Sequence, residues 1–169
     1  MIETWFISDT HFGHANILKY EPTHRPFNNL IEMHEALINR WNNVVGKNDK
    51  VYHLGDVCFG LANLGLLKFL NGDKRLVLGN HDGYPIHNYQ KYFTKISGVR
   101  FWYNYILTHV PVHPLNLEGR SDFNIHGHLH SKRVLLPDSL EPDKRYINVS
   151  VEQNNLTPIN AQVILDANK

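Results

Sequence analysis

Short apolar runs alternate with polar clusters along this chain, and the period of the apolar positions changes from run to run. Residues 2–7 form a short run rich in strand formers, which predicts a buried strand. Further on, Leu30, Met33, Leu37, Ile38, Trp41, Val44 and Val45 recur at steps of three and four. They make one stripe of an amphipathic helix, with Gly46 as its C-terminal stop. Residues 51–54 predict a second strand. Leu61, Leu64, Leu67 and Leu70 predict another helix, although Gly65 weakens it. Residues 75–78 predict a third strand, and residues 94–108 two strands with a hairpin-like break. Phe123–His126, residues 146–151 and residues 161–165 predict further strands. Strands alternate with helices early and follow one another late, so the pattern predicts an α/β layered domain with a mixed sheet. The segment 111–120 is the expected mobile loop.

Composition narrows this picture. A chain of 169 residues fits a single domain over 1–169, and buries roughly 70% of its unfolded surface, so it needs no staples. No apolar run approaches the ~18 residues of a membrane span. Met1-Ile2-Glu3-Thr4-Trp5 lacks the basic start and apolar core of a signal peptide, so a cytoplasmic chain starting at residue 1 is expected. The one cysteine, Cys58, lies between Val57 and Phe59 and reads as a buried structural thiol. Lys and Arg number 17 against 16 Asp and Glu, a balance too even to imply a polyanion-coated surface, and composition shows no basic face. The 12 histidines beside a single cysteine point to imidazole and carboxylate chemistry, either metal binding or acid–base work.

The polar residues gather where the predicted strands end. Ser8-Asp9-Thr10-His11 follows the first, Leu54-Gly55-Asp56 the second and Leu78-Gly79-Asn80-His81-Asp82 the third. Later come Leu107-Thr108-His109 and Ile125-His126-Gly127-His128-Leu129-His130. In α/β sheets, loops at the carboxyl ends of strands converge on one crevice. On extended backbone, Asp9 and His11 point to the same side, as do His128 and His130, so two such pairs can grip an ion from two directions. Gly55, Gly79 and Gly127 are expected to permit sharp turns and to leave room for an ion and a phosphate. Singly these elements are common in turns; together, in this order and each at a strand end, they are a strong signal for a metal site.

In these five blocks the sequence resembles the calcineurin-like metallophosphoesterase superfamily. Its pattern is Asp-x-His, Gly-Asp, Gly-Asn-His-(Asp/Glu), a single His, and Gly-His-x-His. All five are present between residues 9 and 130. Ser-Asp-Thr-His-Phe-Gly-His, Tyr-His-Leu-Gly-Asp and Leu-Gly-Asn-His-Asp look most like the small, insertion-free bacterial and phage members. The resemblance implies a four-layer αββα sandwich with mixed sheets. It also implies one metal on Asp9, His11, Asp56 and His130, and a second on Asp56, Asn80, His109 and His128, with Asp56 bridging. His81 would face the substrate phosphate as the catalytic group. The cofactors expected are two divalent transition-metal ions, manganese first, with iron, nickel or zinc as alternatives. The reaction expected is phosphoester hydrolysis by in-line attack of a metal-bridging hydroxide. Nucleotide or nucleic-acid phosphodiesters are the expected substrates, because no large insertion could form a cap. The alternatives are a phosphomonoesterase with the same site, or a non-catalytic scaffold, and the complete ligand set speaks against the scaffold.

Further candidates are expected to contact substrate or support the ligands. His14 and Asn16 follow the first pair, and each could equally open the next helix. Arg25 is a candidate for a phosphate oxygen against a solvated loop, and Asp82 for orienting His81 against capping the following segment. His113 could reach the site mouth, and His126 could lie behind the ligands. His53 is expected in the core, and His24, His34 and His87 in solvent.

Overall fold

The first apolar run forms β1 (Thr4–Ile7), while Ile2 stays outside it, exposed. The computed structural model describes residues 1–168; Lys169, the last residue of the expected domain, lies outside the described residues. One helical turn, α1 (Ile17–Tyr20), precedes α2 (Leu30–Val44), the long predicted stripe. Asn29 starts α2 by accepting the Glu32 N–H on its side chain at 3.0 Å, satisfying an N–H that the helix leaves free. Met33, Leu37 and Trp41 then bury one face at four-residue steps. The remaining elements are β2 (Lys50–His53), β3 (Asp73–Val77), α3 (Ile86–Tyr89), β4 (Lys95–Ser97), β5 (Arg100–Trp102), β6 (Tyr105–Leu107), β7 (Phe123–His126), β8 (Tyr146–Asn148), β9 (Ile159–Asn160) and α4 (Ala161–Ala167).

Two mixed sheets result. The first has the order β4-β3-β2-β1-β9, parallel except for β9. The second has the order β5-β6-β7-β8, parallel except for β5. They pack face to face: Phe6, Tyr52, Leu54 and Val77 from the first share a buried cluster with Tyr105, Leu107, Ile125 and Val149 from the second. On the far side of the first sheet, Trp5, Ile7, Val51 and Leu76 pack with the buried face of α2. Helix α4 adds Ala161 and Ile164 to the core between the sheets. The outer face of the second sheet is covered by a thinner layer. There Val112 donates its N–H to Asn124 and accepts from the Tyr146 hydroxyl, and Leu117 of a 3₁₀ turn at Pro114–Leu117 is buried. The expected mobile loop is thus anchored at both ends of its first half. Among the described residues, no helix is long and apolar enough to cross a membrane.

Four local expectations change. Residues 94–108 hold three strands, because the chain crosses from the edge of one sheet (β4) to the edge of the other (β5) through residues 98–99. Residues 161–165 are helical rather than extended. Asn160 caps α4 by accepting the Gln162 N–H at 2.8 Å, and Ala161 and Ile164, three apart, are buried while Val163 is exposed. Leu61, Leu64 and Leu67 lie on a 3₁₀ helix, Leu61–Phe69, whose three-residue period matches their spacing, and Leu70 follows it in extended backbone. The strand expected at 146–151 stops at Asn148, and Val151–Asn154 is a 3₁₀ turn. Cys58 is buried as expected, and burial pushes its thiol up to about 12.

His53 at the end of β2 is a core histidine with no exposed surface. Its Nδ1 accepts the Gly55 N–H at 3.2 Å, so Nε2 carries the proton and donates to Thr10 Oγ1 at 2.9 Å. Burial lowers its pKa to about 3.

Two predictions follow from this packing. Trp41→Ala empties the α2 face and should cost about 3–5 kcal/mol in urea unfolding, whereas Asn29→Ala should cost about 1 kcal/mol; equal losses would contradict the assigned roles. The second concerns acid. His53 binds a proton in the unfolded chain below its ordinary value of 6.5 but resists protonation in the fold down to about 3. Its contribution is therefore complete above 6.5 and declines as pH falls toward 3. Unfolding free energies of metal-free protein should fall over that window, and less steeply in His53→Gln.

Candidate metal centre

The backbone leaves β1, β2 and β7 in an unusual way. Asp9 (φ 60°), His11 (φ 49°), Asp56 (φ 55°), His128 (φ 67°) and His130 (φ 51°) all occupy the left-handed region. For a residue with a Cβ this costs roughly 1–2 kcal/mol, and such strain gathers at functional sites. The expectation of extended Asp9-x-His11 and His128-x-His130 pairs is therefore corrected. Within each pair, both residues that carry chemistry are turned left-handed.

Specific contacts hold these turns. The Asp9 and His11 N–H groups donate to the carbonyls of Gly55 and Asp56 at 3.0 and 3.1 Å, fastening the first turn to the second. Asp82 accepts the N–H groups of Asp56 and Gly79 on Oδ2, both at 2.8 Å, and of Val57 on Oδ1 at 3.0 Å. It clamps the Asp56 turn, and neither orients His81 nor caps the segment after it. Burial, with Asp56 nearby, raises its carboxyl above the ordinary value despite these three amides. Gly55 makes the sharp turn expected of it, at φ 94°, but the glycines do not leave open room. A Cβ on Gly79 would strike the Asp56 backbone nitrogen, and one on Gly127 would strike Ser8 Oγ and Asp9 Oδ2. The space they leave is filled by neighbouring chain, so their absent side chains let the loops converge.

Convergence produces two groups of donors. Asp9, His11 and His130 form one, and Asp56, His109 and His128 the other; within each, the donor atoms lie within 4.8 Å of one another. Asp9 is fully buried. Its Oδ2 accepts from the His128 N–H and the Ser150 hydroxyl, both at 2.9 Å. Its Oδ1 has no hydrogen-bond partner and lies 3.7 Å from His11 Nε2 and 3.9 Å from His130 Nε2. Both ring nitrogens of buried His11 also lack a partner. Asp56 Oδ1 accepts the His81 N–H at 2.9 Å, while Oδ2 faces both groups, 3.6 Å from His11 Nε2 and 3.3 Å from His109 Nε2. Asn80 Oδ1 joins the second group, 2.9 Å from His109 Nε2 and 3.0 Å from His128 Nδ1. His109 holds its ring by donating Nδ1–H to the Leu54 carbonyl at 2.7 Å.

Buried polar atoms without partners are rare, and here they point at one another. The set is nitrogen and oxygen only, which fits divalent transition ions rather than a thiolate site. Charge is arranged to match. Burial is the largest influence on Asp9 and would raise its pKa, yet His11, His109 and His130 together hold it well below the usual carboxylate range. Burial likewise works to lower His109, and Asp56 and Asp9 outweigh it, leaving His109 above the ordinary imidazole value.

The other candidates fall into distinct places. His81 is exposed at the rim, its ring 4.9 Å from Phe59 and 6.1 Å from His11. His14 stacks on Phe59 at 3.9 Å beside it, and burial lowers its pKa to about 4. Asn16 is exposed before α1 and makes no side-chain cap. His113 accepts the Leu115 N–H at 3.3 Å to start its 3₁₀ turn. His126 is buried in β7, donating Nδ1–H to the Gly127 carbonyl at 2.8 Å, outside both donor groups. His34 is corrected from solvent to half-buried, where Nε2 accepts the Gly13 N–H at 2.8 Å. Arg25 is corrected most: it has no exposed surface and cannot meet a phosphate. Its guanidinium binds Glu152 Oε1, from Nε at 2.7 Å and Nη2 at 2.6 Å, and donates to the carbonyls of Asp9 and Thr10 at 2.5 and 3.1 Å. Glu152 also accepts from His130 Nδ1 at 3.1 Å. Sequence reasoning missed Glu152, since Val-Glu-Gln-Asn carries no motif.

Comparison with known proteins gives the same frame. The chain is 38% identical over 172 residues to an uncharacterized protein of Methanocaldococcus jannaschii, covering 98% of this chain and 90% of that one. It is 42% identical over 89 residues to the gene 66 protein of Mycobacterium phage L5, covering 49% of this chain and 41% of that one. A crystal structure of a protein of unknown function from Aquifex aeolicus superimposes with a TM-score of 0.81 at 27% identity, covering 99% of this chain and 100% of that one. Residues 2–162 match the calcineurin-like phosphoesterase family, and with that match spanning nearly the whole fold, the chain belongs to this family.

Proposed function

We propose that this protein is a two-metal phosphodiesterase acting on nucleotide or nucleic-acid phosphodiesters. One observation carries the reading: Asp56 Oδ2 stands between two donor groups, within 3.6 Å of an imidazole nitrogen from each. One ion is assigned to Asp9, His11, Asp56 and His130, the other to Asp56, Asn80, His109 and His128. When bound, two divalent ions supply an activated water and clamp the phosphoryl oxygens. Manganese is the first choice of metal, and iron, nickel and zinc fit the same donors.

The chain's own residues divide the remaining work. The backbone hydrogen bond from His81 to Asp56 Oδ1 fixes where the His81 loop sits over the donors. Its exposed ring stands at the rim, where a substrate oxygen arrives, and can protonate the leaving alkoxide or stabilise its charge. Asn80 and His81 are both exposed, so the site opens to solvent on this side. An open rim accommodates the second substituent of a diester, which supports diester over monoester hydrolysis. A panel of a monoester, a diester and 2′,3′-cyclic nucleotides tests that preference, and a faster monoester would reverse it.

Two predictions test the assignment. Chelation should abolish hydrolysis and manganese should restore it, with two ions per chain by metal analysis; fewer than one ion together with full activity in chelator would sink the reading. Within that experiment, Asp56→Asn should weaken both ions and Asn80→Ala mainly one. His81→Ala should leave metal content intact and slow turnover by about 10²–10⁴-fold. The loss should shrink with a nitrophenolate leaving group, which needs little protonation. Loss of an ion in His81→Ala would make the residue a ligand instead.

A further inference from the structure

Arg25 and Glu152 form an ion pair with no exposed side-chain surface on either partner. Desolvating two charges is costly, and apolar replacements of such pairs are often neutral or stabilising. Stability therefore gives little reason for the pair, and its contacts point elsewhere. Glu152 Oε1 takes hydrogen bonds from both Arg25 and His130 Nδ1. That commits the His130 proton to Nδ1 and leaves Nε2 bare, facing Asp9 Oδ1. A carboxylate behind a metal-binding imidazole fixes its tautomer and ring orientation and makes it a better donor. Arg25 reaches the same group from the other side, where its hydrogen bonds to the Asp9 and Thr10 carbonyls brace the left-handed turn that presents Asp9 and His11. In the second donor group, His109 leans instead on a neutral backbone carbonyl.

We infer that Arg25 and Glu152 are positioning residues for one of the two metal positions, the one formed by Asp9, His11 and His130. The inference rests on the reading that this group holds a metal. Arg25 pairs with Glu152 in the interior and holds its carboxylate in place, and Glu152 in turn accepts from His130 Nδ1 and leaves the other ring nitrogen bare.

The test uses wild type, Glu152→Gln and the apolar pair Arg25→Met with Glu152→Leu. Manganese titration by calorimetry counts equivalents and affinities. Nitrogen-15 shifts of His130 in metal-free protein, at about pH 9 so that the ring is neutral, report its tautomer. Wild type should show the Nδ1–H form. Glu152→Gln should weaken one manganese equivalent by about 10–100-fold and spare the other. The apolar pair should lose the same equivalent and the fixed tautomer. Wild-type affinity for both equivalents in Glu152→Gln, or equal loss of both, would overturn the inference. So would an Nε2–H or mixed tautomer in wild type. If wild type binds no manganese, the metal reading itself fails, and the tautomer still decides whether Glu152 sets His130. If the apolar pair does not fold, Glu152→Gln alone carries the decision, since it keeps size and shape while removing the charge and turning one acceptor oxygen into a donor.

Discussion

The structure turns on the burial of one carboxylate. Asp9 has no exposed surface, and an ionised carboxylate taken out of water must be compensated or it destabilises the fold. Its two oxygens divide the compensation. Oδ2 is met by a backbone N–H and a hydroxyl that belong with the second sheet, from His128 and Ser150. Oδ1 is left to the imidazoles of His11 and His130. One side chain at the end of β1 thus holds the loops of both sheets together and faces the donor cluster. The short bridge between Ser8 and Ser150 sits beside it and fixes the same seam in the backbone.

Around this carboxylate the chain accepts strain. Five donors sit in left-handed backbone, each at a cost that ordinary loops avoid. The contacts that offset the cost lie behind the donors: the Asp82 clamp on the Asp56 turn, and the Arg25 brace on the Asp9 turn. Gly79 and Gly127 allow the loops to approach closely enough for those contacts to form. The donor atoms are consequently set by packing and hydrogen bonds before any ion is considered, which is the condition for a site that binds without rearranging.

Much of this was legible from the chain alone, for identifiable reasons. Helix α2 is legible because Met33, Leu37 and Trp41 keep one period for several turns. The donors announced themselves because polar residues at strand ends have no packing explanation. Residues 161–165 misled because a short apolar segment fits a strand or a helix, and only the Asn160 cap and the burial of Ala161 with Ile164 decide between them. The direction of the donors is not legible, because strand alternation ends with the strand and the donors lie in turns of the opposite handedness. Arg25 and Glu152 were opaque for another reason. They are 127 positions apart, and neither has meaning until the fold places them against each other.

The donors are divided between the two sheets. Asp9, His11, Asp56 and Asn80 follow strands of the first, whereas His109, His128 and His130 follow strands of the second. Each donor group contains members from both. Mechanically, the site is a clasp across the sandwich: a force that parts the sheets at this end loads Asp9, Asp56 and their imidazole neighbours directly. The arrangement of the donors therefore shares its contacts with the seam between the sheets, alongside the apolar core that also joins them. Parting the sheets at this end would disperse both donor groups together.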